Sequence, residues 1–75
     1  MDQHDDHIES AKLHLARAEA LVEQQERRLE ALRADGHDTT NAVAFLRVLK
    51  ETREVMRRDL EAVQAGAVTK ERLVQ

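Results

Sequence analysis

The sequence contains no cysteine, proline, tryptophan or tyrosine, and it has a single aromatic residue, Phe45, and two glycines. The absence of cysteine excludes disulfide bridges, thiolate zinc sites and a cysteine nucleophile, and it is compatible with a reducing compartment. Proline and glycine are the strongest breakers of helices. Gly36 and Gly66 are therefore the two points at which long helices are expected to be interrupted.

Long hydrophobic runs and an excess of one charge are also missing. No apolar run approaches the roughly 20 residues of a membrane span, and the polar, acidic stretch from Met1 to His7 lacks the features of a secretory signal. The 12 basic and 15 acidic residues are interspersed, unlike a basic nucleic-acid arm or an acidic tail. With 75 residues, of which 41% are hydrophobic, the chain is expected to form one small cytoplasmic domain over residues 1–75.

Apolar residues follow a heptad pattern in the first half of the chain, which predicts a helix over about residues 5–34. The a and d positions are Ile8, Ala11, Leu15, Ala18, Val22, Gln25, Leu29 and Leu32. Gln25 is the one polar residue among them. The alanines make the apolar seam narrow, so a neighbouring helix can approach closely.

A turn over residues 35–38 separates this helix from a second, predicted over about residues 39–65. Gly36 is expected to close the first helix in the left-handed conformation, and Asp38 is expected to cap the second. His37 lies next to Asp35 and Asp38, but no nucleophile accompanies it, so a structural role in the turn is expected. Gly66 is expected to end the second helix, which leaves a partly ordered tail over residues 66–75.

The second helix carries an apolar stripe that is broader than one partner helix can cover. If residues whose numbers sum to roughly 74 face each other, apolar side chains of the two helices meet in nearly every layer. A lone two-helix hairpin buries too little apolar surface to offset the entropy of ordering it. The prediction is an all-α fold, an antiparallel two-helix hairpin of the helical coiled-coil type, that dimerises to a four-helix bundle. The residues predicted at the dimer or partner interface are Leu21, Phe45, Val48, Leu49, Thr52, Val55 and Met56.

Two polar clusters are candidate binding sites. His4, His7 and His14 have helical spacing compatible with weak metal binding, but such spacing is common by chance, so solvated or packing histidines are expected and no metal site is predicted.

The second helix is locally basic through Arg47, Lys50, Arg53, Arg57 and Arg58. Glu51, Glu54 and Glu61 are interleaved with these residues, and aromatic residues for base stacking are lacking, so a solvated, salt-bridged face is favoured over a nucleic-acid site.

The segment from Gln24 to Thr40, and onward through Leu46, Met56 and Leu60, resembles a group of small, uncharacterised helical-hairpin proteins of proteobacteria, notably of rhizobial type. They share a Leu-x-x-Asp-Gly-x-Asp-Thr turn and a spaced leucine pattern, and the resemblance covers roughly residues 8–63. It implies a bacterial source and no particular activity. In architecture alone, the chain also resembles Rop, a plasmid-copy-control RNA-binding protein that is a dimer of helical hairpins.

The sequence contains no Gly-rich phosphate loop, nucleophile elbow or paired-carboxylate site, so we expect no enzyme, no catalytic residue and no cofactor. The favoured interpretation is a small homodimeric adaptor or regulator that acts through protein–protein contacts, with an unknown protein partner as a further expectation. An RNA- or DNA-binding four-helix bundle of the Rop architecture is one alternative. A purely structural oligomerisation module is another.

Overall fold

The computed structural model describes the backbone of residues 3–74 and the side chains of residues 6–66. Two helices, α1 (Gln3–Ala34) and α2 (Thr40–Val74), are joined by a short turn and pack against each other in antiparallel directions. The hairpin is elongated, with extents of 61 × 20 × 11 Å. The predicted all-α, two-helix hairpin is confirmed.

Helix α1 ends in a Schellman motif, the hydrogen-bond pattern that satisfies the last carbonyls of a helix. The backbone N–H of His37 donates to the carbonyl of Leu32 at 3.0 Å, and the N–H of Gly36 donates to the carbonyl of Arg33 at 3.1 Å. Gly36 has a φ of 73°, a conformation that side chains with a Cβ rarely adopt. Glycine at this position therefore allows the chain to reverse immediately after α1.

Helix α2 begins under a cap provided by Asp38. The backbone N–H and the hydroxyl of Thr40 both donate to Oδ1 of Asp38, at 2.9 and 2.6 Å. The first backbone bond of the helix runs from the N–H of Val43 to the carbonyl of Thr39 at 2.8 Å. The Asp38 carboxylate thus satisfies one of the N–H groups that a helix start leaves without an intrahelical partner.

The core is a narrow seam between the two helices. Val22, Leu29, Leu46 and Leu49 pack together, and the partly buried Ala42 packs against them. Val22 is the most buried of these at 1% exposure, and Ala11 and Ala18, two alanines of the predicted heptad, are buried closer to the N-terminus of α1. The seam follows the a and d positions of α1, as the heptad pattern predicts.

The predicted helix boundaries need two corrections. Helix α1 begins at Gln3, two residues before the predicted start, and α2 continues through Gly66 to Val74 instead of ending at residue 65. Among the described glycines, Gly36 is the one with a positive φ, so Gly66 does not adopt the left-handed conformation expected of a helix-closing residue. Alanine on both sides of Gly66 favours the helix, which offsets the modest helical penalty of one glycine.

Neither α1 nor α2, over the part of the chain that the structure describes, contains a segment long and apolar enough to cross a lipid bilayer.

Candidate interaction surface

One side of the hairpin is lined by apolar residues of both helices. Here Ala18 and Leu21 of α1 lie beside Leu49, Thr52 and Met56 of α2 around a shallow groove of about 260 Å³. Leu49 is buried and Met56 is half-buried, so these two side chains form the floor of the groove. His14 and Arg17 lie at its edge.

Exposed apolar side chains extend this groove along α2. Phe45, Val48 and Val55 are 54%, 53% and 59% exposed, and Leu21 across the groove is 49% exposed. Phe45, Val48, Thr52 and Val55 are separated by steps of three and four residues, so they lie on one stripe of the helix. We use the name apolar flank for the seven residues that the sequence analysis predicts at the interface, which are Leu21, Phe45, Val48, Leu49, Thr52, Val55 and Met56.

Thr52 is the one hydroxyl residue of the apolar flank. Its hydroxyl donates to the carbonyl of Val48 at 3.0 Å, within α2 itself. A polar group that already has a partner costs much less to remove from water than one without. Thr52 can therefore enter an apolar contact without needing a hydrogen-bond partner from another molecule.

Towards the turn, the same side of the hairpin contains a buried polar group. Gln25 is 7% exposed, and its Nε2 donates to the carbonyl of Ala42 at 3.1 Å. Gln25, Arg28 and Leu32 line a second depression together with Ala42 and Phe45. The pairing of the helices predicted from the sequence sets Gln25 opposite Leu49. It does not predict the hydrogen bond that the Gln25 amide makes with the carbonyl of Ala42.

The opposite side of the hairpin is charged. A broad depression of about 600 Å³ has Leu29 and Leu46 at its base, and its charged lining residues are Glu23, Glu26, Arg27, Glu30, Arg33 and Lys50. Nζ of Lys50 lies 3.9 Å from Oε2 of Glu26, an exposed pair that links the two helices. We call this surface the charged flank. Exposed pairs of this kind add little stability but keep the surface hydrated.

Arg57 and Arg58, two of the basic residues of α2, pair with acidic neighbours on the same helix. Arg57 contacts both Glu54 and Glu61, and Nε of Arg58 lies 3.2 Å from Oε1 of Glu54. The hydrogen bond from Arg57 lowers the pKa of Glu54, and the same contact raises the pKa of Arg57. Acidic residues thus neutralise Arg57 and Arg58 locally, which weakens the attraction of these two residues for phosphate.

The remaining predicted positions lie apart from the apolar flank or at its edge. Asp35, Gly36, His37 and Asp38 are exposed in the turn, and Thr40 hydrogen bonds hold the pKa of Asp38 below its usual value. His7 and His14 are exposed on α1, and the side chain of His4 lies outside the described residues. Among the residues searched for metal sites, which are those the structure describes, no group of three or more His, Asp or Glu side chains is placed to hold a metal ion.

Two exposed apolar residues were not predicted from the sequence. Val43 is 38% exposed and lines a shallow depression beside Arg47, Lys50 and Glu54. Leu13 is 49% exposed on α1. Single exposed apolar side chains are common on protein surfaces. Val43 lies outside the apolar flank, which makes it a useful control position.

Comparison of the chain with protein-family models, with curated proteins and with solved structures finds no match.

Proposed function

We propose that this protein is a non-enzymatic homodimeric adaptor or regulator of the cytoplasm that acts through protein–protein contacts. The observation that carries the proposal is the contrast between the two sides of the hairpin. Apolar residues of both helices collect on one flank, while the other is charged. An exposed apolar patch bordered by polar residues is typical of a protein–protein contact surface.

Self-association is the first part of the proposal. The narrow seam buries few large side chains, with Val22, Leu29, Leu46 and Leu49 at its centre. A helical hairpin with so small a core gains stability when a second hairpin covers its exposed apolar residues. Contact through the apolar flank leaves the charged flank exposed on both sides of the dimer, where it is available to a second protein.

The absence of enzymatic activity is proposed on the chemistry of the titratable groups. The pKa values of Asp38 and Glu54 are lowered, and that of Arg57 is raised. Each shift has a surface hydrogen bond or ion pair as its cause. Groups prepared for acid–base catalysis instead usually have pKa values shifted by burial or by a like charge in a cleft.

We also propose a bacterial source for this protein, because the resemblance of its turn motif implies one.

Light scattering at micromolar concentration tests the dimer directly. We expect the wild-type chain to show twice the monomer mass of 8.6 kDa. Val48→Asp places a charge in the apolar flank and should give the monomer mass. Val43→Asp is the matched control on the other side and should leave the mass unchanged. A wild-type mass of 8.6 kDa would contradict the proposal.

Two binding measurements separate the proposed role from its alternatives. Retention on heparin or RNA that weakens steeply with salt would favour a nucleic-acid-binding bundle. A pull-down that recovers only further copies of the chain would favour a structural oligomerisation module. The adaptor proposal expects weak heparin retention and a distinct protein held by wild type but lost when residues of the charged flank, such as Lys50, are reversed in charge.

A further inference from the structure

Building on the proposed homodimer, we infer how the two copies are arranged. The geometry points to a second copy of this chain on the apolar flank, with its α2 antiparallel to the first and the two-fold axis between Val48 and Thr52. In this arrangement, residues of the two α2 helices whose numbers sum to 100 face each other. Phe45 then lies opposite Val55 of the second copy, and Val48 lies opposite Thr52 of the second copy.

The exposed surface of the chain is large enough to accommodate such a partner. The chain exposes 6090 Å², whereas a compact monomer of 8.6 kDa exposes about 4,700 Å². The excess is about 1,400 Å² per chain. A stable interface of standard size buries about 800 Å² from each partner. Covering the apolar flank with a second copy therefore fits within the excess surface.

The stripe on α2 is complementary to itself under this two-fold axis. It presents the large Phe45 at one end, the smaller Val55 at the other, and Val48 and Thr52 between them. Antiparallel pairing sets the large side chain against a small one at both ends. Alternation of large and small residues across a seam is what dense packing requires.

The competing arrangement aligns the two hairpins with their turns at the same end. The α2 stripe would then lie against α1 of the second copy, where Leu21 is accompanied by Arg17, Gln25 and Arg28. Valine and phenylalanine side chains would cover the exposed guanidinium groups of Arg17 and Arg28, which are costly to remove from water. The antiparallel arrangement instead sets apolar side chains against apolar ones and groups the polar residues of α1 together.

Thr52 fits the centre of this contact because its hydroxyl is already bonded to the carbonyl of Val48. Its replacement by valine removes the hydroxyl with little change in volume. We expect Thr52→Val to leave the dimer at least as tight as wild type, whereas Thr52→Glu should weaken dimerisation more than tenfold. Equal weakening by both variants would contradict an apolar contact at this position.

Spin labels provide the decisive measurement, and the cysteine-free chain allows a single labelled cysteine without further changes. His37 is exposed in the turn, so His37→Cys places the label away from the proposed interface. The antiparallel register puts the two labels about 40 Å apart, because 26 helical residues at about 1.5 Å each separate their levels along the bundle. Hairpins with adjacent turns would bring them within about 20 Å, roughly two interhelical spacings.

A second label at Glu51 serves as the control for dimer formation, because this exposed residue lies near the proposed two-fold axis. Its two copies should be within about 25 Å of each other in either arrangement of side-by-side hairpins. A short Glu51 distance with a His37 distance near 40 Å supports the inference. A short Glu51 distance with a short His37 distance overturns the register but leaves the dimer intact. The absence of any intermolecular distance at both sites overturns the register together with the proposed homodimer.

Discussion

At the scale of single residues, Gly36 has the clearest conformational requirement. Its φ of 73° and the hydrogen bonds of the Schellman motif around it fix the point at which α1 stops. A Cβ at Gly36 would meet no atom within 4 Å, so the requirement comes from the backbone and not from a lack of space. Gly66 also has open space around it but lies within α2.

Alanine substitutions at the two glycines are expected to change stability in opposite directions. Gly36→Ala should lower the free energy of unfolding by about 1 kcal/mol or more, because alanine is strained in the left-handed region. Gly66→Ala should raise it by about 0.5–1 kcal/mol, because alanine favours the helix. Urea denaturation followed by circular dichroism, at one protein concentration, measures both. A loss of stability with Gly66→Ala would mean that α2 ends at residue 66 after all.

Gln25 illustrates a different residue-scale effect. Its amide is buried in the seam and bonded to the carbonyl of Ala42, so one polar side chain of α1 is tied to one backbone position of α2. A buried polar side chain with a single good partner favours one register, because any shift of the helices leaves the amide without that partner. The apolar side chains of the seam discriminate less sharply between registers.

At the scale of the helices, α1 and α2 have different roles. Helix α1 supplies a narrow seam of alanine and aliphatic residues that lets the two helices approach closely. Helix α2 has apolar residues on two adjacent faces, one buried against α1 and one exposed in the apolar flank. The start of α2 depends on Asp38, whose carboxylate accepts both hydrogen bonds from Thr40.

The cap of α2 should make the stability of the hairpin depend on pH in the acidic range. Hydrogen bonds from the Thr40 hydroxyl and N–H lower the pKa of Asp38, so the folded state favours the carboxylate. This contribution is present above the ordinary aspartate pKa of about 3.9 and is lost as pH falls through the lowered value. Asp38→Asn keeps an oxygen acceptor but does not titrate. Its melting temperature should therefore fall less than that of wild type between about pH 5 and pH 2. Parallel curves for the two proteins would contradict the assignment.

At the scale of the whole molecule, the dominant feature is elongation. The radius of gyration is 17.4 Å, whereas a compact domain of 75 residues has one of about 11 Å. So extended a molecule has a high ratio of surface to buried core. Its stability as a single hairpin is therefore expected to be marginal.

The melting temperature should depend on protein concentration if the proposed dimer is the stable form. For a dimer that unfolds to two chains, a tenfold rise in concentration adds about 1.4 kcal/mol to the folded state. In a domain of this size, that is a rise of several degrees in melting temperature. Differential scanning calorimetry over a hundredfold concentration range measures the effect. Val48→Asp should melt at a lower temperature that no longer varies with concentration, and a constant wild-type value would argue against the dimer.

The local structure of this protein was largely predictable from its sequence. The heptad pattern of α1 identified the seam, and the spacing of Gly36 and Asp38 identified where one helix ends and the next begins. These features depend on residues near each other in the chain, through helix propensity, capping and the left-handed freedom of glycine. The end of α2 was not predictable in this way, because glycine between two alanines is compatible with either a helix or its termination.

Only the tertiary structure decided how the exposed residues are distributed. Leu49 and Phe45 are both predicted at the interface, but the packing of the two helices leaves Leu49 9% exposed and Phe45 54% exposed, and it places Val43 away from the apolar flank. It also brought the Gln25 amide to the Ala42 carbonyl. The physical reason is that helical periodicity determines the face on which a side chain lies. The rotation and register of one helix against the other then determine whether that face is buried or exposed.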